Sequence, residues 1–269
     1  MITIIRLFLW ISMTGFILQA SGNLPHQITD TTGFLVDKPL LYVDNTAIIL
    51  TMGQSNATSH GQGDYDCRNS IYEYFRGNLY KASEPLLGAP GNGGCSVWTR
   101  LADMLIDSGY YQQVILVNTG IGATTVQCWS EGECNKELRN TLQFIKEDSL
   151  SVTHVFWHQG ESDNLEETSR EDYKKHLQCI LALLQEYGIH ADLYVCRASY
   201  HPAMIGIKDK GVDSRIRSAQ TEFILENENV RPGPDTDQYD HVTERHDGVH
   251  FSRKGLNRFA YDLFISITK

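Results

Sequence analysis

A serine near the start of the chain and a histidine near its end are of the types that carry out nucleophilic catalysis. Ser55 follows Gly53-Gln54 after the apolar run Ala47–Leu50, and His250 lies three residues after Asp247. A serine hydroxyl becomes a nucleophile when an imidazole takes its proton, and a carboxylate on the other ring nitrogen orients that imidazole. One tight turn can join Asp247 to His250, so these three residues predict a serine hydrolase. Its activity should fall below neutral pH, because a protonated base cannot accept the serine proton.

Each member of this triad also has a simpler interpretation. A serine or asparagine directly after a strand often caps the helix that follows. The segment from Asp240 to His250 is rich in charge, as a solvated loop would be. An early serine combined with a late Asp-x-x-His favours catalysis over these alternatives.

The same loop offers metal ligation as a second kind of chemistry. Its imidazoles and carboxylates lie at short spacing, as zinc ligands often do: Asp240, His241, His246, Asp247 and His250. The group lacks the His-x-x-x-His spacing of a helical zinc site and leaves Ser55 without a role. The sequence therefore predicts an enzyme without a metal or another cofactor, and resistance to chelators distinguishes the two hypotheses.

Strand-like and helix-like segments alternate along the chain. Short β-branched or aromatic runs predict strands at Ala47–Leu50, Val114–Val117, His154–Trp157 and Leu193–Val195. Amphipathic spacing predicts helices at Val97–Ile106, Leu138–Ile145, Tyr173–Tyr187, Ile216–Leu225 and Leu256–Ile265. Loops are expected over Gly61–Gly94 and Tyr200–Gly211. The alternation predicts an α/β fold, a three-layer α/β/α sandwich with a mostly parallel sheet.

Polar, glycine-rich turns follow three of the predicted strands. They are Gly53–Asn56, Asn118–Gly122 and His158–Asp163. The carboxyl ends of parallel strands meet at one edge of a sheet, which is where α/β proteins bind ligands. We therefore expect these turns to converge on one site, with backbone N–H groups near Ser55 available to an oxyanion.

The N-terminus predicts export. Residues 1–20 carry one cation, Arg6, followed by an apolar run that ends at Leu18, as in a secretory signal peptide. Cleavage near Ala20 or Gly22 is the main expectation and an uncleaved anchor the alternative. Residues 21–269 then form a single catalytic domain of about 250 residues. The mature protein is expected to be periplasmic or secreted, without stable membrane insertion.

The cysteine count indicates the cellular compartment of the protein, and the net charge indicates which classes of partner it can bind. All six cysteines follow the predicted signal, and an even number in an exported chain favours disulfides. Cys128 and Cys134 flank a tight loop, so we expect them to pair. Cys179 and Cys196 lie on a predicted helix and the strand after it, and Cys67 would then remain for Cys95; free buried thiols are the alternative. A net charge of −10 argues against nucleic acid as a partner and leaves small molecules and glycans.

Four short blocks together resemble the SGNH (GDSL-like) hydrolase superfamily, in its branch of sialate O-acetylesterases and acetylxylan esterases. In chain order they are Gly53-Gln54-Ser55-Asn56, Gly122-Ala123-Thr124 with Trp129, Trp157–Asp163, and Asp247-Gly248-Val249-His250. The likeness spans about residues 46–265. It implies a flavodoxin-like fold without a metal and an ester substrate that acylates the serine.

The resemblance also implies roles for single residues. Ser55 would be the nucleophile, His250 the base and Asp247 the residue that orients it. The oxyanion would be held by the backbone N–H groups of Ser55 and Gly122 and by the side-chain amide of Gln159. Gly120 is the alternative to Gly122. Ala123 stands where the branch has a second glycine, so a small shift of the backbone is expected there.

Five further residues are candidates for support or for substrate binding. Glu161 could orient His250 or His158, although a loop carboxylate is more often solvated or structural. Gln54, Asn56 and Trp129 could contact substrate, the tryptophan by stacking on a sugar ring. Arg217 could hold a carboxylate such as that of a sialic acid, with a salt bridge on the helix surface as the alternative.

Taken together, the sequence predicts an exported serine esterase that removes O-acetyl groups from a carbohydrate. Sialic acid, xylan and bacterial surface polysaccharide all stay open as the substrate. Two other functions use the same fold: a glycan-binding module without turnover, and an acyltransferase that transfers the acyl group to a sugar instead of water.

Overall fold

The computed structural model describes residues 35–89 and 93–269, which build a central seven-stranded sheet. The strands are β1 Thr46–Gly53, β2 Ile71–Phe75, β3 Asn78–Lys81, β4 Gln113–Asn118, β5 His154–His158, β6 Leu193–Arg197 and β7 Val230–Asp235. Their order is β3-β2-β4-β1-β5-β6-β7, and only β2 and β3 pair antiparallel. This confirms the predicted α/β class with a mostly parallel sheet.

Helices cover both faces of the sheet because successive side chains of a buried strand point to opposite sides. The helices are α1 Trp98–Asp107, α2 Val126–Glu131, α3 Glu133–Glu147, α4 Glu161–Leu165, α5 Arg170–Glu186, α6 Ser214–Glu226 and α7 Arg253–Thr268. In β1, Ile48, Leu50 and Met52 pack on the face that carries α2, α3, α5 and α6. Ala47 and Ile49 pack on the opposite face, against α1 and α7.

The parallel register places the ends of three central strands side by side. Thr51 of β1 lies opposite Asn118 of β4, and Gly53 lies opposite His158 of β5. The three predicted turns therefore leave the sheet at one edge, as the alternation of strands and helices led us to expect.

Three strands were not predicted, and each has a physical reason. The hairpin β2–β3 lies inside the expected loop Gly61–Gly94, and Arg76 and Gly77 form its turn with φ of 49° and 77°. Positive φ at both turn residues matches the twist of a hairpin, but arginine is an uncommon residue there. Strand β7 contains Pro232 and Pro234, which argue against a central strand but are tolerated at the edge that β7 occupies.

One of the expected disulfides is present. Cys128 and Cys134 are bonded, with their Cα atoms 5.2 Å apart. The expected pairs Cys179–Cys196 and Cys67–Cys95 were wrong, since all four of these cysteines are free. Cys179 is exposed on α5, whereas Cys196 is buried on the opposite face of the sheet, so the sheet separates the two thiols.

The predicted signal peptide, residues 1–20, lies outside the described residues. Within residues 35–89 and 93–269, no helix is both long and apolar enough to cross a membrane.

Candidate active site

The turn after β1 presents Ser55. Gly53 has a φ of +130°, and a Cβ on this residue would lie 2.1 Å from the carbonyl oxygen of His158, so only glycine allows the two strand ends to approach this closely. Ser55, Asn56 and Ala57 then form a single 3₁₀ turn, with Ser55 5% exposed. Among the described residues, the backbone N–H of Ser55 has no acceptor. It is available to a negatively charged oxygen next to the serine hydroxyl.

Gly122, rather than Gly120, faces this serine. A Cβ built on Gly122 would lie 3.7 Å from Cβ of Ser55, whereas one on Gly120 would meet the carbonyl oxygen of Ala57 at 2.8 Å. The N–H of Gly122 also lacks an acceptor in the described part of the chain. Ala123 has a φ of 57°, so it adopts the left-handed conformation that a glycine would take there.

Asp247 and His250 form a tight pair in the loop before α7. Asp247 Oδ2 lies 2.6 Å from His250 Nδ1, and Asp247 Oδ1 accepts the backbone N–H groups of Val249 and His250 at 2.8 and 2.7 Å. Partial burial alone would raise the pKa of Asp247, but these hydrogen bonds outweigh it and lower the pKa to about 2. The carboxylate is therefore ionised at neutral pH and leaves His250 Nε2 as the free ring nitrogen.

Asn56 links the serine turn to the histidine loop. Its Nδ2 donates to the Val249 carbonyl at 3.3 Å and to Glu161 Oε1 at 3.0 Å. Arg245 Nη1 donates to the same carbonyl oxygen. Within the described residues no hydrogen bond joins Ser55 Oγ to His250, a bond that commonly tightens only when substrate binds. The three predicted triad residues are thus brought to neighbouring loops.

Glu161 supports this link from inside the protein. It is buried, and burial raises the pKa of its carboxyl group, although the hydrogen bond from Asn56 opposes the shift. Its Oε1 lies 3.9 Å from His158 Nδ1. Glu161 Oε2, His158 Nδ1 and Arg245 Nε are all buried without a hydrogen-bond partner in the described structure. Glu161 therefore contacts the serine turn and does not orient His250 directly.

The structure contradicts the donor role expected of Gln159. Its side chain is fully buried, and Nε2 already donates to Asp163 Oδ2, to the Thr124 carbonyl and to Gln54 Oε1. Its Oε1 accepts the hydroxyl of Tyr173 at 3.0 Å. Two amide hydrogens shared among three acceptors leave none for a substrate oxygen. Gln159 instead fixes the turn after β5 to its neighbours.

The polar groups of Gln54 and Asn56, which were expected to contact substrate, form hydrogen bonds within the protein. Gln54 is 4% exposed, and its Oε1 accepts the backbone N–H of Ser162 at 3.1 Å. Asn56 is equally buried and makes the two hydrogen bonds described above. The hydrogen bonds of both side chains therefore shape the turn.

Trp129 and Arg217 likewise differ from expectation. Trp129 is fully buried on α2, where it packs edge-on against Trp157 with ring centroids 5.7 Å apart, so it cannot stack on a sugar. Arg217 binds Asp235 at 2.6 and 2.7 Å and Asp237 at 2.9 Å. This confirms the salt-bridge alternative, because the guanidinium is already occupied by carboxylates.

His60 also lies in the site, although it was not among the predicted site residues. Its ring stacks on that of His250, with centroids 5.0 Å apart and an interplanar angle of 23°. A Cβ on Gly122 would lie 3.5 Å from His60 Nε2. His60 follows Ser55 in a loop without helical or strand spacing, so no sequence signal connected it with the distant His250.

A groove lies beside the turn that contains Gly122. Its volume is about 330 Å³, and it runs between the β2–β3 hairpin, the end of β4 and helix α3. It combines aromatic and polar side chains: Tyr74, Phe75, Arg76, Asn118, Ile121, Asn140 and Phe144. Asn118 also donates to Thr58 Oγ1 of the serine turn at 3.3 Å, and Ile121 immediately precedes Gly122. The groove and the site therefore share the chain segment that follows β4.

The five candidate metal ligands do not form one cluster. Only His246, Asp247 and His250 bring ligand atoms within 4.8 Å of one another among the described residues. Asp240 instead accepts the backbone N–H groups of Val242 and Thr243. Asp247 already uses one oxygen for His250 and the other for backbone N–H groups, an arrangement that suits an oriented imidazole.

The mostly parallel sheet, the turns at its carboxyl edge and the Asp247–His250 pair define an α/β protein whose site contains the imidazole–carboxylate pair that serine hydrolases use. The sequence profile of the family described as carbohydrate esterase, sialic acid-specific acetylesterase, matches residues 45–266. The chain belongs to this family, and the protein is therefore a carbohydrate acetylesterase, which acts on carboxylic esters.

Solved structures agree on the fold. A protein from Arabidopsis thaliana is 16% identical, with a TM-score of 0.65 over 82% of this chain and 96% of that chain. A carbohydrate acetylesterase from Xanthomonas citri is also 16% identical, with a TM-score of 0.54 over 82% of this chain and 55% of its own. A family 3 carbohydrate esterase from Talaromyces cellulolyticus is 9% identical, with a TM-score of 0.52 over 82% and 96%. No curated protein matches the sequence.

Buried His158 should make the fold sensitive to acid. Burial, followed by the charge of Arg245, lowers the pKa of His158 to about 3. Below the ordinary histidine pKa of about 6.5 the unfolded chain binds a proton that the folded chain cannot, so stability falls as the pH falls. We expect His158 to remove about 2 kcal/mol from the free energy of unfolding between pH 6.5 and 4.5.

Urea unfolding at these two pH values tests this. His158→Gln should lose about 2 kcal/mol less than the wild type over the interval, whatever its stability at pH 6.5. His190→Gln, at an exposed site, should behave like the wild type. An unchanged pH dependence in His158→Gln would show that the loss of stability has another source.

Proposed function

We propose that the protein is an exported serine esterase that removes O-acetyl groups from a carbohydrate through an acyl-serine intermediate. The observation that carries this proposal is the link from Asn56 to the Val249 carbonyl. It fixes the turn of Ser55 against the loop in which Asp247 holds His250. Nucleophile, base and orienting carboxylate thereby belong to one rigid arrangement.

The reaction follows from this arrangement. Ser55 Oγ attacks the acetyl carbonyl carbon and passes its proton to His250 Nε2, while the carbonyl oxygen becomes negative beside the N–H groups of Ser55 and Gly122. The bond to the sugar oxygen breaks, and that oxygen takes the proton from His250. Water then attacks the acetyl-serine with His250 as base, which releases acetate and restores Ser55.

Export is supported by the signal-like residues 1–20 and by the bond between Cys128 and Cys134. Disulfides persist mainly in oxidising compartments. Mass spectrometry of protein recovered from the source cell envelope and medium tests this part separately. An intact residue 1–20 segment on cytoplasmic protein would contradict export without affecting the chemistry.

The chemistry is tested with the mature protein, residues 21–269, in the presence of a chelator. Acetate release is measured from acetylated sialoglycan and acetylated xylan, and p-nitrophenol release from p-nitrophenyl acetate and p-nitrophenyl octanoate. We expect hydrolysis of the acetyl esters over the octanoyl ester, and a quenched reaction should carry an acetyl group on the peptide that contains Ser55. Chelator-sensitive activity would contradict the metal-free mechanism. Acetyl transfer to an added sugar would favour the acyltransferase, and glycan binding without acetate release would favour the binding module.

The groove supports a glycan as the substrate. Aromatic rings and hydrogen-bonding side chains side by side are what a sugar requires, since its faces are apolar and its edges polar. Arg76 stacks on Phe75 at 5.0 Å, and it has no carboxylate partner among the described residues although the chain is acidic overall. Asn140 is exposed at the groove and makes no side-chain hydrogen bond in the described structure.

A bulky side chain in the groove should therefore slow the hydrolysis of acetylated glycans without slowing that of small esters. We expect Asn140→Trp to lower kcat/KM for an acetylated oligosaccharide about 10-fold, a loss of about 1.4 kcal/mol of binding to the remote part of the substrate. Activity on p-nitrophenyl acetate should stay within about twofold. Gln185→Trp, on the exposed side of α5, is the matched control. Equal effects on both substrates would show that the groove does not hold the sugar.

A further inference from the structure

The loop that follows Ser55 holds His60 in a fixed place. Gly61 exchanges two backbone hydrogen bonds with Cys95, at 2.9 and 3.0 Å, and Gln62 N–H donates to the Phe251 carbonyl at 2.9 Å. Phe251 immediately follows His250, so the His60 loop and the His250 loop are joined by backbone. The position of one ring relative to the other is therefore set by the fold.

His60 packs against both His250 and Gly122. Its ring stacks on that of His250, and its Cε1–Nε2 edge lies next to Gly122, the glycine that also faces Ser55. A ring stacked on an imidazole restricts rotation of that imidazole about its side-chain bonds. Asp247 holds only Nδ1 of His250, so a second contact is needed to fix the plane of the ring.

His60 is neutral when the base becomes charged. Burial, followed by the charge of His250, lowers the pKa of His60 to about 4, while the Ser55 carbonyl and Asp247 raise it by less. His60 Nδ1 is buried without a hydrogen-bond partner in the described structure. The ring therefore contributes a neutral aromatic face to the contact with His250. Its Nδ1 atom makes no hydrogen bond that would contribute to this contact.

We propose that His60 is a positioning residue that holds the His250 ring in the orientation needed to reach Ser55. This rests on the proposed function, since it assigns His250 as the base. The positioning depends on the flat shape of the His60 ring and on its lack of charge. Neither property requires a nitrogen atom, so another neutral aromatic ring should replace it.

Two substitutions test this proposal on p-nitrophenyl acetate. His60→Ala should lower kcat about 10- to 100-fold with KM within about threefold, because the base loses alignment and the small substrate loses little binding. His60→Phe should restore kcat to within about threefold of the wild type. The proton resonance of the Asp247–His250 hydrogen bond should be sharp in the wild type and in His60→Phe, and broadened in His60→Ala.

The controls separate this proposal from the function on which it rests. His241 is an exposed histidine in the segment before α7 that also contains His250, and His241→Ala should leave kcat unchanged. If His60→Phe is as slow as His60→Ala, a polar contact is needed and the positioning role is wrong. Full activity in His60→Ala would also overturn it. If the wild type itself releases no acetate, it is the proposed function that fails.

Discussion

Ser55→Ala should lower kcat for acetyl ester hydrolysis by about 10⁴-fold or more, the largest effect expected of any single substitution. The substitution removes the only atom proposed to form a bond to the acyl group. The N–H groups of Ser55 and Gly122 stay in place, so a small residual acceleration by the oxyanion site should persist. KM should change little, because the alanine backbone binds the carbonyl oxygen as before.

The loss of activity in Ser55→Ala should come from the missing hydroxyl and not from a change in the fold. Ser55 makes no side-chain hydrogen bond among the described residues, so its thermal unfolding should match that of the wild type. Ser162→Ala is the matched control, a half-buried serine next to the site whose hydroxyl is likewise without a partner there. Activity retained in Ser55→Ala, or an acetylated peptide without Ser55, would exclude the acyl-serine mechanism.

Asp247→Asn should lower kcat by about 10³- to 10⁴-fold while leaving the loop folded. The carboxylate accepts the Nδ1 proton of His250 and so leaves Nε2 as the proton acceptor for Ser55. An asparagine can offer an N–H to Nδ1 instead, which places the imidazole proton on Nε2, where it cannot accept another. The amide oxygen can still accept the two backbone N–H groups of the turn.

The pH dependence gives an independent check. Hydrogen bonds lower the pKa of Asp247 from 3.8 to about 2 despite its partial burial, so the carboxylate stays ionised well below neutral pH and loses its stabilising contribution as the pH falls from 3.8 to about 2. Acid loss of activity at higher pH must therefore come from a group other than Asp247. Asp240→Asn, an acid that caps a similar turn in this loop, should retain activity. If both variants are equally slow, Asp247 acts only on loop structure.

The elements that carry the site were predictable because their signals are local. The buried run in β1 ends on Gly53, and Asp247 reaches His250 within a four-residue turn, so neither needs a distant partner to be recognised. The parallel register then brings the serine turn and the turn after β5 together. The hairpin and the proline-containing β7 were missed because their pairing depends on neighbours at the sheet edge.

The roles that failed depend on partners far away in the sequence. Gln159 loses its amide hydrogens to Asp163, Thr124 and Gln54, which its position after β5 does not reveal. Arg217 finds two carboxylates in and after β7, a strand that was not predicted. Trp129 is different, because Val126 and Trp129 have the i, i+3 spacing of a buried helix face, and this signal was present.

The hydrogen bond from Asn56 to Val249 spans 193 positions of the chain. Contacts between such distant segments require closure of a long intervening loop. A chain interrupted during synthesis before residue 250 contains Ser55 without His250. Under the proposed mechanism, ester hydrolysis therefore reports that synthesis has passed residue 250 and that the loop of His250 has packed on the turn of Ser55.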